Sequence, residues 1–394
     1  MASSPQSTLL ITCAPGLEAP LTRELLALGL QAPVALEQAV AAGGDLNDVL
    51  RICLLSRIGH RVLWPMSDPR PATTPDHVYQ LAADLPWEDW ISPREQLTVT
   101  SNGSSSASPN LRFLSLKVKD AIVDRMRKRV RKRPESGSDR SGAVVHAHFD
   151  GHFARLYLDG AGTPLSHRGY RLIPGPSPMR ETLAAGCLSL LDWTGEASLS
   201  NPMCGSGTIA IEAACISRNI APGLLRQRFA AETWLPVSSQ HMRTLRHEAK
   251  AAVRARAPVP ILASDHSPQA VHAARANARR AGVENDIAWE TLDFRRAAIA
   301  PESGLIFLNP EYGVRLGAEK DLDTLYREIG KDFKARGQGK AGAVFTGNLR
   351  LAKQIGLSLN RKWTLWNGDL ECRLLEFLMH QTLACQAVVD ERLI

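Results

Sequence analysis

No Cys-x-x-Cys pair occurs in this chain, and its histidines do not cluster at metal-ligand spacing. Seven cysteines lie scattered at positions 13, 53, 187, 204, 215, 372 and 385. That pattern excludes a zinc framework and reads as reduced and metal-free. No apolar stretch approaches the roughly 20 residues needed to span a bilayer. The N-terminus has no basic residue before Arg23, and its apolar run at Leu9–Cys13 is too short for the hydrophobic region of a signal peptide. A cytoplasmic location is expected. Also missing are a Gly-x-x-x-x-Gly-Lys-Ser/Thr phosphate loop and the third glycine of the dinucleotide fingerprint, which disfavours a kinase, an ATPase or a dehydrogenase. No internal repeat with a period of about 20–50 residues is present.

What is present is a chain of 394 residues. That exceeds the usual single-domain range of about 100–200 residues, so two or three domains are expected. With 44% hydrophobic and 22% charged residues, the composition is that of an ordinary globular protein. The net charge of +7 suits a polyanionic partner, and its placement matters more than its size. Between Leu111 and Arg140 stand eleven Lys/Arg against four Asp/Glu, an excess equal to that of the whole chain. The remainder is electrically balanced.

The N-terminal half begins with a strand-like run at Leu9–Thr12, a helical pattern from Glu18 to Leu28 and a second helix from Leu46 to about Arg61. Ser67 to Pro75 reads as a connection. Another helical pattern spans Val78 to Trp90, followed by a strand at Gln96–Ser101 and a flexible loop at Asn102–Ser106. Leu114, Val118, Ile122, Met126 and Val130 then recur every four residues, with Lys and Arg on the other faces, which predicts a basic amphipathic helix. Two strands follow at Ala143–Phe149 and Ala154–Asp159, and residues 160–180 read as an interdomain connection. From Arg180 onward strands alternate with helices, the mark of a parallel sheet covered on both faces. Strands are expected near 197–200, 261–264, 287–291, 305–308 and 343–346, with a later pair around 362–366 and 373–379.

The first of those strands runs into Asn201-Pro202-Met203-Cys204-Gly205-Ser206-Gly207-Thr208 and an apolar helix. Gly205 and Gly207 let the backbone approach a ligand at the carboxyl end of the strand, where the helix N-terminus favours polar or anionic groups. A Gly-x-Gly turn is weak evidence by itself. The second strand ends at Asp265, whose carboxylate can accept from two ribose hydroxyls, and the third runs to Asp293, within reach of an adenine amino group. The fourth ends in Asn309-Pro310-Glu311-Tyr312. Methylating an aromatic amine requires acceptors for its hydrogens and a platform for its ring. The Asn309 side chain and the Pro310 carbonyl supply the first and Tyr312 the second, so catalysis would consist of alignment and electrostatics.

These residues resemble the bacterial methyltransferases that join a THUMP RNA-binding domain to a class I S-adenosylmethionine fold, in particular the 23S rRNA guanine-2-amino methyltransferases. The resemblance covers nearly the whole chain. It rests on Thr12–Glu18, Leu116–Asp124, Leu156–Asp159, His167-Arg168-Gly169-Tyr170-Arg171, Arg180–Ala185, Asn201–Ala214, Arg218–Gly223 with Trp234, and Asn367–Leu375. It implies an α/β chain: a doubly wound methyltransferase sheet, mostly parallel with one antiparallel strand, preceded by a ferredoxin-like segment (1–66), a THUMP domain (67–160) and a linker (161–180), the catalytic domain being 181–394. It further implies S-adenosylmethionine held by Thr182, Asn201, Gly205, Gly207, Asp265 and Asp293, and structured RNA held by Lys117, Lys119, Arg125 and Arg129. Ribosomal RNA is the expected substrate and transfer RNA the second, with no membrane and no metal.

Two positions depart from the family pattern. Asn201 stands where Asp is usual, and Glu311 stands where a second proline is usual. Glu311 can accept hydrogens from guanine, or it can mark an altered site. Three readings therefore stay open: methylation of the guanine 2-amino group in ribosomal RNA, the same reaction on transfer RNA, and an RNA-binding or assembly factor that has lost catalysis.

Overall fold

The computed structural model describes residues 6–103, 111–175, 178–301, 303–311 and 319–379. The N-terminal half runs β1 (Ser7–Thr12), α1 (Glu18–Ala27), β2 (Gln31–Leu36), β3 (Ala39–Gly44), α2 (Leu46–Leu55), β4 (Arg61–Pro65), β5 (Arg70–Pro71), α3 (Pro75–Asp84), β6 (Leu97–Gly103), α4 (Leu111–Val130), β7 (Ala143–Phe149) and β8 (Phe153–Asp159). Its strands form one sheet in the order β2-β3-β1-β4-β8-β7-β6, with β5 also on β8. Hydrogen bonds cross the division expected at residue 66, because β4 pairs with β8 at Leu63↔Asp159. The ferredoxin-like and THUMP segments thus share a sheet.

The expected helix from Leu46 to about Arg61 stops at Leu55. It starts on a capping box, in which Asp45 accepts from the Asp48 N–H at 3.0 Å and Asp48 accepts from the Asp45 N–H at 2.9 Å. It ends because Glu24 of α1 captures the next turn. The Glu24 carboxylate accepts from the Ser56 hydroxyl at 2.6 Å and from the Arg57 N–H at 2.7 Å. The chain is thereby turned into β4 instead of continuing the helix.

The C-terminal half comprises α5 (Glu181–Leu190), β9 (Ser198–Pro202), α6 (Thr208–Ser217), α7 (Ser239–Ala251), β10 (Ile261–Asp265), α8 (Pro268–Ala281), β11 (Ala288–Thr291), β12 (Gly304–Leu308), α9 (Glu319–Arg336), β13 (Ala341–Thr346), α10 (Leu349–Ala352), β14 (Arg361–Asn367) and β15 (Leu370–Leu378). The sheet order is β11-β10-β9-β12-β13-β15-β14. The first five strands are mutually parallel, and β15 is antiparallel to both its neighbours. β9 lies between β10 and β12, so the order reverses there and opens the switch-point crevice in which open α/β sheets bind ligands.

One apolar core runs through both halves. Trp64 of β4, Trp90 and Trp234 form a row with ring centroids 5.7 and 6.3 Å apart, which joins the N-terminal sheet to the segment after α6. Among the described residues no helix is long and apolar enough to cross a membrane. The six described cysteines are all buried and unbridged, and Cys385 lies outside the described residues.

Candidate active site

Four strand tips meet at the carboxyl edge of the second sheet. After β9 the chain passes through Met203 at φ 77°, Gly205 at φ 54° and Gly207 at φ 84°, a left-handed run that folds the loop back over the strand end. The N–H groups of Met203 and Cys204 both donate to the Ser264 carbonyl at 2.8 and 2.9 Å, fastening the loop to β10. The two glycines serve different needs. At Gly207 a Cβ would lie 2.8 Å from the Ala274 Cβ of α8, so close packing requires glycine. At Gly205 a Cβ would meet nothing within 4 Å, which leaves an open face on the loop.

Asp265, at the end of β10, is buried. One carboxylate oxygen accepts from the Gly205 N–H at 3.0 Å and the other from the Ser267 N–H at 3.0 Å. It therefore stands against the glycine loop, as the sequence led us to expect. Asp293, two residues beyond β11, is more exposed and turns both oxygens to Arg295, at 2.7 and 2.9 Å. That guanidinium holds its carboxyl below the usual carboxylate range. Thr182 is buried in the first turn of α5.

At the switch point the Asn201 amide nitrogen donates to the Phe307 carbonyl at 2.8 Å, bridging β9 to β12. Among the described residues seven buried side-chain polar atoms have no hydrogen-bond partner, and two of them, Asn201 Oδ1 and Asn309 Oδ1, lie on these neighbouring strand tips. Both are acceptors left free on the chain's own side of the switch point. Glu311 is exposed, and its carbonyl accepts from the Tyr326 hydroxyl at 3.3 Å, which in turn lies 2.7 Å from the Thr346 hydroxyl. This tether holds the loop where a second proline would stiffen it. Tyr312 lies outside the described residues.

The basic helix α4 divides differently from the sequence expectation. Arg125 has little exposure and grips Glu88 with two bonds of 2.8 Å while donating to the Ala83 carbonyl at 3.0 Å. Its guanidinium is structural and unavailable to RNA. Lys117 pairs with Asp76 at 2.7 Å, Lys119 with Asp120 at 2.9 Å, and Arg129 lies 3.8 Å from Glu88. Arg127, Lys128, Arg131, Lys132 and Arg133, at the end of the helix and just past it, are exposed and make no ion pair among the described residues. The Arg125 fork holds Glu88 below its ordinary value of 4.5. The stability from this pair is therefore present above that value and is lost as pH falls through the lowered one. Arg125→Ala is expected to destabilise the fold by about 2 kcal/mol, read as a lowered urea midpoint.

Sequence reasoning missed two residues that shape the site, Arg171 and Asn277. Arg171 closes the His167–Arg171 motif, inside the span that reads from sequence as an interdomain connection. Asn277 carries a weak signal, an asparagine in the interior of an alanine- and arginine-rich helix, where its propensity is poor.

A doubly wound sheet with a glycine loop on its first strand, a carboxylate on its second and an Asn-Pro turn on its fourth defines a class I methyltransferase. The chain belongs to the RMKL-like methyltransferase family, whose profile matches residues 168–376. It also carries an RlmL ferredoxin-like domain at 8–63 and a THUMP domain at 72–159. A Synechocystis sp. protein, slr0064, named as a candidate RNA methyltransferase, is 34% identical over 369 residues, covering 94% of this chain and 96% of that one. The ribosomal RNA large subunit methyltransferase K/L of Pseudomonas paraeruginosa is 37% identical over 394 residues, covering 98% of this chain and 54% of that protein. This chain thus spans about half the length of the K/L relative. The crystal structure of SMU.472, a candidate methyltransferase complexed with SAH, superposes with a TM-score of 0.86 at 27% identity, covering 95% of this chain and 99% of that one.

The cofactor of this class is S-adenosylmethionine, and the residues present fit it. A Cβ at Gly205 would meet no described atom within 4 Å, the Asp265 carboxylate stands against the same loop, and the Asn201 Oδ1 atom has no partner among the described residues, a polar and open lining that suits the group.

Proposed function

We propose that the chain transfers a methyl group to the exocyclic 2-amino group of a guanine in large-subunit ribosomal RNA. The observation that carries this reading is the pair of unpartnered acceptors, Asn201 Oδ1 and Asn309 Oδ1, at the switch point. S-adenosylmethionine supplies the electrophilic methyl. Thr182, Asn201, Gly205, Gly207, Asp265 and Asp293 would hold the cofactor. Asn309 accepts one hydrogen of the guanine amine and the Pro310 carbonyl the other. The nitrogen lone pair then faces the methyl, and Tyr312 carries the base. An amine is a poor nucleophile while its lone pair is delocalised into the ring, so orientation is the main contribution the protein can make. The surplus amine proton leaves to water after transfer.

In this reading residues 1–66 and 67–160 form the RNA-binding half, 161–180 the connection and 181–394 the catalytic half. Ribosomal RNA is favoured over transfer RNA by the names of the K/L relatives. Nucleoside mass spectrometry of ribosomal and transfer RNA pools from cells lacking the gene tests it. A methylguanosine missing from the large-subunit RNA supports the assignment, and one missing only from transfer RNA overturns it.

RNA contact falls to the free cations at the end of α4 rather than to Arg125. The triple substitution Lys128→Ala, Arg131→Ala, Lys132→Ala is expected to weaken RNA binding about tenfold and to reduce the slope of log K against log salt by about 2–3. Arg125→Ala is expected to leave that slope unchanged. Filter binding across a salt series reads both.

A further inference from the structure

The segment that leaves the N-terminal half does not merely connect it to the catalytic half. It lies along the outside of the glycine loop, and two side chains fix it there. Arg171 donates through Nε to Glu181 at 2.9 Å, through Nη1 to the Ser206 hydroxyl at 3.3 Å, and through Nη2 to the Met179 carbonyl at 2.9 Å and the Thr208 hydroxyl at 3.1 Å. One guanidinium thus touches the glycine loop, the first residue of α6 and the first turn of α5, which carries Thr182. Asn277, fully buried in α8, completes the attachment. Its Oδ1 accepts from the Leu172 and Ile173 N–H groups at 2.8 and 3.0 Å, and its Nδ2 donates to the Ile173 and Ser206 carbonyls at 3.0 and 3.1 Å. All four of its hydrogen-bonding positions are used.

Through Ser206, Thr208 and Glu181 the guanidinium reaches the glycine loop and the first residues of α6 and α5, and Asn277 ties Leu172 and Ile173 to the same loop at Ser206. The open face of the loop, at Gly205, is left untouched. The loop Met203–Gly207 has three of its residues in the left-handed region, a shape with little intrinsic preference, so what holds it from behind decides how well it fits a ligand in front. Only arginine offers a rigid fork able to meet a carboxylate, two hydroxyls and a carbonyl at once.

We propose that Arg171, backed by Asn277, is a positioning residue for the cofactor: it sets the glycine loop and the first turn of α5 in the shape that accepts S-adenosylmethionine, so the cradle is complete only when the segment leaving the RNA-binding half is seated. This rests on the strand-tip cleft being the cofactor site.

The test is calorimetric titration of the full-length protein with S-adenosylhomocysteine, which reports binding without turnover. Arg171→Ala is expected to raise the dissociation constant at least about tenfold, the scale of losing two charge-assisted hydrogen bonds. Arg171→Lys falls between, because an ammonium keeps the Glu181 ion pair but not the fork. Ser206→Ala alone costs roughly two- to threefold, and added to Arg171→Ala it costs nothing more, because its effect passes through the arginine. The apparent KM for RNA stays within about twofold, whereas general loosening of the fold would move both. Unchanged cofactor affinity in Arg171→Ala, or a Ser206→Ala effect that persists in full on top of it, overturns the proposal. Failure of the unmodified protein to bind S-adenosylhomocysteine overturns the cofactor site itself, and the proposal with it.

Discussion

Asn309→Ala is expected to lower the rate of methyl transfer by about 10²–10³-fold, the scale of removing one preorganised polar contact from a transition state, while S-adenosylhomocysteine affinity stays nearly unchanged. The asymmetry comes from where the side chain stands. Its oxygen is buried at the tip of β12 with no hydrogen-bond partner among the described residues, so it contributes little to the fold, and on the proposed assignment it is free for the reacting amine. Removing an unsatisfied buried acceptor relieves a cost of about 1–3 kcal/mol. The variant is therefore expected to unfold at the same denaturant concentration as the parent or a higher one. Loss of activity with no loss of stability is the signature of a group kept for chemistry at the expense of folding. A fall in stability equal to the fall in activity would make Asn309 a packing residue. Single-turnover transfer assays and urea titrations on the same preparation decide between them.

The second large effect separates the two glycines. Gly205→Ala is expected to abolish measurable cofactor binding while costing only about 1 kcal/mol of stability, the usual penalty for alanine in the left-handed region. Its new methyl meets no described protein atom within 4 Å, and on the proposed assignment it would stand where the cofactor lies against the loop. Gly207→Ala is expected to cost several-fold more stability, because its methyl would lie 2.8 Å from the Ala274 Cβ in addition to the backbone penalty at φ 84°. Helix α6 or α8 must then shift, and cofactor affinity falls as a consequence of that shift. Thermal melts rank the variants one way and calorimetry ranks them the other. Equal stability loss in both would mean that the face at Gly205 is not open to a ligand.

Much of this architecture is legible from residue order. The catalytic strands stand out because each is a short apolar run ending in a polar or glycine-rich tip, the late strand pair is visible as two runs, and the antiparallel strand was implied by the family resemblance. Strands β2 and β3 carry little local signal, because Gln31–Leu36 contains a proline and Ala39–Gly44 is mostly alanine and glycine, with one strand-favouring valine and no alternation of polarity. Their pairing with β1 is decided by tertiary packing. The overlong second helix has the same origin, since the residue that ends it, Glu24, is more than thirty positions away. Charge on α4 is visible in the sequence, but which cations are spent internally depends on Glu88 and Asp76, brought in by neighbouring elements. Asp265 and the glycines were identifiable one by one because strand tips in this fold share an edge. The clamp of Arg171 and Asn277 was not, because side-chain hydrogen bonds spanning from 8 to 105 positions leave no periodic trace.

The most direct test of the account is transfer of isotopically labelled methyl groups from S-adenosylmethionine to ribosomal RNA taken from cells lacking the gene, followed by digestion and nucleoside mass spectrometry. Label in N2-methylguanosine of large-subunit RNA with the unmodified protein, and incorporation slower by at least about a hundredfold with Asn309→Ala, is the expected result. Label in a methyladenosine, or cofactor binding without any label in RNA, would contradict it.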